Sequence, residues 1–236
     1  MTTIRTNLQR VHERMAAACA AAQRDVNDVR LLAVSKTFGP EAVREAFSAG
    51  QSAFGENYIQ EAVEKIALLA ELPLQWHCIG PIQSNKTRLV AAHFDWAHTV
   101  DRLKVAQRLS EQRPEGMAPL QVCIQVNIDG GPTKAGVPPR EVLPLAREVA
   151  RLPRLVLRGL MTIPEPVADF EGQKAVHLRA KALFDSLRDA GLALDTLSMG
   201  MTADLEAAIA AGSTMVRVGT AIFGGRAVVA KVTAPG

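Results

Sequence analysis

Short apolar runs alternate with amphipathic stretches in one unbroken order from residue 31 onward. The runs cover 31–36, 53–57, 74–80, 94–100, 120–127, 155–163, 194–200 and 215–223. Between them, near 40–49, 58–71, 85–92, 101–111, 139–151, 170–190 and 203–211, apolar residues recur at helical spacing. Strands separated by helices pair in parallel through crossovers. Eight such units in a chain of 236 residues predict an α/β fold of the (β/α)8 type, a TIM barrel. The rival, an open doubly wound sheet, usually carries a glycine-rich first turn. Here the first run ends Ser35-Lys36-Thr37-Phe38 instead.

An extra helix precedes the barrel. Ile4, Leu8, Val11, Met15 and Ala18 share one helical face, so residues 3 to about 23 form an amphipathic helix. Pro40 and Pro139 suit helix starts, Gly50 and Gly191 suit helix stops, and Thr202 suits an N-cap. Stretches 113–119, 128–138 and 164–169 read as loops. Nothing divides the chain, so residues 1–236 form a single domain, with the barrel over about 30–226.

Composition narrows the function. Lys and Arg number 27 against 24 Asp and Glu, scattered, and aromatics are 4%. That lacks the basic footprint and the stacking surface of a nucleic-acid binder. Cys19, Cys78 and Cys123 stand far apart, which fits a reducing, cytoplasmic setting and buried thiols. The first twenty residues carry Arg5, Arg10, Glu13 and Arg14 where a signal peptide would be apolar. Arg226 interrupts the most apolar C-terminal stretch, so no membrane span is expected.

In a barrel the C-terminal strand ends meet at one mouth. Leu32, Val34 and Lys36 share the inward face of the first strand. A lysine above an apolar stripe loses hydration and becomes a nucleophile toward carbonyls; the alternative is an ammonium that snorkels to water. Arg217 shares a face with Met215 and Gly219, either confined inside or paired outside with a helix carboxylate. Ser198-Met199-Gly200-Met201-Thr202 ends the seventh strand and opens a helix, and Gly219-Thr220 ends the eighth. Those two turns are where barrels often hold a phosphate, although Asp204 would repel one unless directed away. A lysine facing a phosphate cradle suits a ligand with an aldehyde at one end and a phosphate at the other. Pyridoxal phosphate and a phosphorylated sugar both answer that description.

Several segments carry a family resemblance: Ala33-Val-Ser-Lys36, Phe54-Gly-Glu-Asn-Tyr-Ile-Gln60, Trp76-His-Cys-Ile-Gly-Pro-Ile-Gln-Ser-Asn-Lys86, Leu197-Ser-Met-Gly-Met201 and Val216-Arg-Val-Gly-Thr-Ala-Ile-Phe-Gly224. From about residue 4 to 226 the chain resembles the pyridoxal phosphate homeostasis protein family, itself similar to the barrel of fold-type III enzymes such as alanine racemase. The resemblance implies a Schiff base between Lys36 and pyridoxal 5'-phosphate, and Arg217 against the pyridine nitrogen. It also implies a phosphate cradle from Ser198, Met199, Gly200, Met201, Gly219 and Thr220. Asn57 is expected near the ring. His77 matches as well, as a ring contact or a structural histidine. Glu56 and Tyr58 alternate away from Asn57 and would support the site from behind.

Racemisation needs an acid and a base on opposite faces of the substrate carbon. The only tyrosine is Tyr58, spent in a strand-end motif, and no second domain is expected beyond the barrel. The expectation is therefore a non-enzymatic, monomeric carrier that holds and delivers the cofactor in vitamin B6 and amino-acid homeostasis, with apo-enzymes as acceptors. The alternatives are an α-carbon enzyme such as a racemase and, more distantly, a cofactor-free Schiff-base aldolase. No metal site is expected.

Overall fold

The computed structural model describes residues 3–131 and 134–225. Arg226, the tail beyond it and part of the 128–138 loop lie outside the described residues. Helix α1 (Ile4–Ala21) comes first, capped by Thr3, whose side chain accepts from the Thr6 N–H. The repeat then runs β1 (Arg30–Val34), α2 (Pro40–Ser48), β2 (Ala53–Glu56), α3 (Ile59–Leu68), β3 (Gln75–Cys78), α4 (Thr87–His93), β4 (Trp96–Val100) and α5 (Leu103–Gln112). It continues β5 (Leu120–Val126), α6 (Pro139–Val149), β6 (Leu155–Thr162), α7 (Phe170–Asp189), β7 (Thr196–Ser198), α8 (Leu205–Ala210), β8 (Met215–Val218) and α9 (Thr220–Phe223). The eight strands close in sequence order, all parallel, with β1 pairing both β2 and β8.

Alternation along the strands divides the buried residues into two populations. One side joins Ala33, Phe54, Trp76, Ala97, Ile124, Leu197 and Val216 to the helices in one large core. The other fills the barrel: Leu32, Val34, Ile79 and Met215 form one cluster, and Trp96, Cys123 and Met161 another. Leu32 and Val34 thus point inward as the spacing requires. Leu8, Val11, Met15, Ala18 and Cys19 bury one stripe of α1, which packs on α8 and α9, beside the mouth. Burying each of the larger of these side chains contributes roughly 1.5–3 kcal/mol.

Pro40 and Pro139 open α2 and α6, and Gly50 and Gly191 follow the ends of α2 and α7, as the sequence predicts. Two expectations are corrected. The run 215–223 is not one strand: β8 stops at Val218, and Thr220–Phe223 is a helical turn. Gly219 lies so close to β1 that an added Cβ would sit 3.1 Å from the Val34 carbonyl oxygen. The N-cap of α8 is Asp204, not Thr202, because the chain spends three more residues turning after Met201. Among the described residues no helix is long and apolar enough to cross a membrane.

Candidate active site at the barrel mouth

Lys36 lies just beyond β1, half-buried, in a turn held from three sides. The Ser35 N–H donates to Gly55 O (3.0 Å) and the Phe38 N–H to Ser35 O (3.1 Å). Thr37 adopts a left-handed φ of 68°, a strain that survives because Glu61 Oε1 accepts its N–H at 3.1 Å. Beneath the turn sits a buried polar cluster. Glu56 Oε1 accepts from Ser35 Oγ (2.6 Å) and Lys65 Nζ (2.7 Å), and Lys65 Nζ also donates to Ser35 O (3.0 Å). Burial pushes the Glu56 carboxyl above its ordinary range, and the Lys65 ammonium opposes that push. The cluster fixes the backbone from which Lys36 projects.

Lys36 opens on a cavity of about 450 Å³ in the mouth. Asn57, Met201, Thr202, Arg217, Gly219 and Thr220 also line it, with Val34, Phe38, Ile79 and Ile163 as apolar walls. Among the described lining residues, Lys36 and Arg217 alone are ionisable. Asn57 brings a buried Oδ1 with no hydrogen-bond partner. Its backbone is seated against Gly80, where a Cβ would lie 2.0 Å from Asn57 O.

Arg217 is confined, 3% exposed. Nη1 donates to Ser198 O (2.8 Å) and Ser198 Oγ (2.9 Å), and Nη2 to Thr162 O (2.9 Å). Those acceptors are neutral, and three bonds leave part of a five-donor fork unspent. Burial lowers its pKa to about 10, so the guanidinium remains charged at neutral pH. It forms no ion pair with any described carboxylate.

The loop after β7 behaves differently from a simple cradle. Gly200 has φ +91°, and a Cβ there would meet Ala208 Cβ at 2.4 Å. The Met201 N–H is already taken by Asp204 Oδ1 (2.7 Å), while Asp204 Oδ2 pairs with His177 Nε2 (2.8 Å). Burial alone would raise the Asp204 pKa, but the bonds from His177 and Met201, with Arg217 nearby, hold it below its ordinary range. Asp204 is thus tied back. The N–H groups of Thr202, Ala203 and Thr220 donate to no acceptor among the described residues.

Of the residues singled out in the sequence, Lys36, Asn57, Met201, Arg217, Gly219 and Thr220 meet at the cavity. Ser198 is buried beneath it, against Arg217. Gly200 shapes the loop and accepts the Arg217 N–H (3.0 Å). Met199 is not brought to the cavity: its side chain packs in the outer core, its N–H goes to Met215 O, and its carbonyl accepts Ser213 Oγ. His77 is not brought there either. It is buried inside the barrel with both ring nitrogens engaged, Nδ1 with His98 Nε2 (2.9 Å) and Nε2 with Gln75 Oε1 (3.1 Å). Tyr58 stands exposed at the head of α3, and Lys134 pairs with Glu165 at 3.2 Å. Sequence reasoning missed Phe38, Ile79 and Ile163, whose signal was only their place just beyond strand ends. It also missed His98, whose signal was a polar residue on the inward face of β4.

Known proteins are similar to this chain in sequence and fold. The sequence profile of the alanine racemase N-terminal domain matches residues 4–227. A pyridoxal phosphate homeostasis protein of Pseudomonas aeruginosa is 58% identical over 226 residues, covering 96% of this chain and 97% of the relative. The Escherichia coli protein of that description is 52% identical over 229 residues, covering 96% and 98%. The solved structure of PipY from Synechococcus elongatus, with PLP bound, superposes with a TM-score of 0.78 at 38% identity, covering 89% of this chain and 100% of that one. The chain belongs to the pyridoxal phosphate homeostasis protein family, built on the alanine racemase N-terminal barrel.

Proposed function

We propose that the chain binds pyridoxal 5'-phosphate in the mouth cavity, anchored by Lys36, and holds and delivers the cofactor without running a reaction on it. One observation carries this reading: the cavity pairs a single amine with a single guanidinium that forms no ion pair, and has no other ionisable lining residue among those described. The residues fit the group. The volume suits a small ligand, Asn57 Oδ1 awaits a donor, and the unspent N–H groups of Arg217 can donate to a ring nitrogen. The N–H groups of Thr202, Ala203 and Thr220, with two threonine hydroxyls, suit a phosphate on the opposite rim.

When bound, the cofactor supplies an aldehyde for the lysine and a ring that can withdraw electrons. Lys36 provides the nucleophilic nitrogen from a turn whose position is set by Glu56 and Lys65. Arg217, a fixed donor that stays charged, would disfavour a proton on a ring nitrogen placed against it and so weaken the ring as an electron sink. Phe38, stacked on Phe223 with centroids 5.1 Å apart, joins Ile79 and Ile163 in excluding water. An α-carbon enzyme needs a second proton carrier across the substrate from the lysine, and Arg217 cannot release a proton at neutral pH.

The test is direct. Protein loaded with pyridoxal 5'-phosphate and gel-filtered keeps a visible absorption band, which borohydride fixes and Lys36→Ala lacks. Loss of the band in the unmutated chain overturns binding. Amino-acid α-deuterium exchange at about 1 s⁻¹ or faster overturns the carrier reading in favour of an enzyme. Delivery predicts that loaded protein activates an apo-enzyme faster than it loses cofactor to a trapping amine. The acceptors, and action as a monomer in the cytoplasm, belong to the same proposal.

A further inference from the structure

Two histidines inside the barrel have no part in the function proposed above. His77 on β3 and His98 on β4 are fully buried. They stand in a single file of hydrogen bonds that begins at the cavity floor. Arg217 Nη1 meets Ser198 Oγ at 2.9 Å, and Ser198 Oγ meets His98 Nδ1 at 3.1 Å. His98 Nε2 meets His77 Nδ1 at 2.9 Å, and His77 Nε2 meets Gln75 Oε1 at 3.1 Å. Gln75 opens β3 at the far end of the barrel and is exposed.

The Gln75 end fixes the direction of every link, and the Arg217 end agrees with it. A guanidinium only donates and an amide oxygen only accepts. His77 therefore carries its proton on Nε2, toward Gln75, and accepts at Nδ1. His98 then donates from Nε2 and accepts at Nδ1. The Ser198 hydroxyl proton goes to His98, and its oxygen turns its lone pairs to Arg217. Donors aligned this way strengthen one another. The surroundings suit neutral rings: burial opposes charge on both, and Arg217 adds to this at His98, as His98 and then Arg30 do at His77. Arg158 lies over Trp96 at 5.0 Å, and Trp96 stacks on His77 at 5.1 Å. The Cys123 thiol, on β5, is pushed up to about 12 and stays neutral. Two carboxylates act near this file, Asp204 on Arg217 and Asp195 on Cys123, and they are held by His177 and Arg158.

We propose that His98 is a positioning residue for the site: by accepting the Ser198 hydroxyl proton it orients that oxygen toward Arg217 and fixes the guanidinium at the cavity floor. What the guanidinium meets there rests on the function proposed above; the file of bonds does not, because it is complete without ligand.

Two measurements test it. Histidine ¹⁵N NMR of the unloaded chain should show both rings as Nε2–H tautomers that do not titrate between about pH 5 and 8. An Nδ1–H tautomer at His98, or titration in that window, overturns the assignment. Second, His98→Asn puts a carbonyl oxygen where Nδ1 stood, whereas His98→Gln reaches only the Nε2 place and His98→Leu neither. His98→Asn should retain pyridoxal 5'-phosphate and keep an absorption band indifferent to pH. His98→Gln and His98→Leu should bind it about tenfold more weakly, with a band that shifts as the ring nitrogen becomes protonatable. A packing role ranks the variants by size, with Gln and Leu above Asn; that order, or three variants like the parent, overturns the proposal. Should the ring variants not fold, Ser198→Ala removes one hydroxyl and should show the same weakening and the same pH-sensitive band. A Ser198→Ala protein that matches the parent also overturns it. Failure of the underlying function is distinct: it shows as a Lys36→Ala protein that keeps its band while the NMR result stands.

Discussion

Arg217 concentrates the chemistry of the mouth in one side chain. It gives its neighbours three hydrogen bonds and contacts no carboxylate, Asp204 acting on it only from a distance. Arg217→Ala should therefore leave the melting temperature nearly unchanged while weakening cofactor retention by about 10- to 100-fold, the range for a hydrogen bond from a charged donor. Cofactor content per chain after gel filtration reads this. Gly200→Val acts by another route. Its φ of +91° and the 2.4 Å approach to Ala208 make a side chain there cost on the order of 2 kcal/mol, and they move the loop proposed to hold the phosphate. Lys36 and Arg217 were legible in the sequence because strand alternation and position at a strand end select both. His98 was not, since alternation gives the face of a residue but not its depth in the barrel. Nor was Met199 correctly placed: it follows Ser198 and so must face the opposite way, a consequence the loop motif concealed.

Among the elements, the seam between β1, β2 and α3 decides where the Lys36 amine stands. Glu56 and Lys65 are 1% and 4% exposed and hold Ser35 between them. Lys65→Met leaves a buried carboxylate without its partner and should cost about 3–5 kcal/mol near neutral pH. Relative to the parent, that deficit should shrink on acidification as Glu56 takes up a proton, and Glu56→Gln in the same chain should recover most of it. Denaturant unfolding at two pH values measures both effects. The periodic spacing located the strands and helices because each buries one face against a continuous core. It failed at 215–223, where apolar residues continue while the backbone turns. Apolar spacing records burial, and α9 is as well buried at Ile222 as a strand would be.

For the whole molecule, the two interior histidines set an acid limit. His98 has its ordinary value of 6.5 when unfolded and about 3 in the barrel, because burial and then Arg217 oppose its charge, and His77 is lowered in the same direction. Below 6.5 the unfolded chain binds protons that the folded chain refuses, so stability present above that pH is lost as it falls. The expected slope is about 1.4 kcal/mol per pH unit for each ring, read from urea midpoints across the acid range. Cofactor acts in the opposite sense. At a free concentration of about one hundred times Kd it should add about 2.7 kcal/mol and raise Tm by roughly 5–10 °C for a chain of this size. A buried guanidinium with no carboxylate in contact should make the chain less stable without cofactor than with it. If the chain carries the cofactor as proposed, then in a cell short of the vitamin the chains without cofactor should be the first to open and meet a protease, so that the amount of protein should follow the supply without any dedicated sensor.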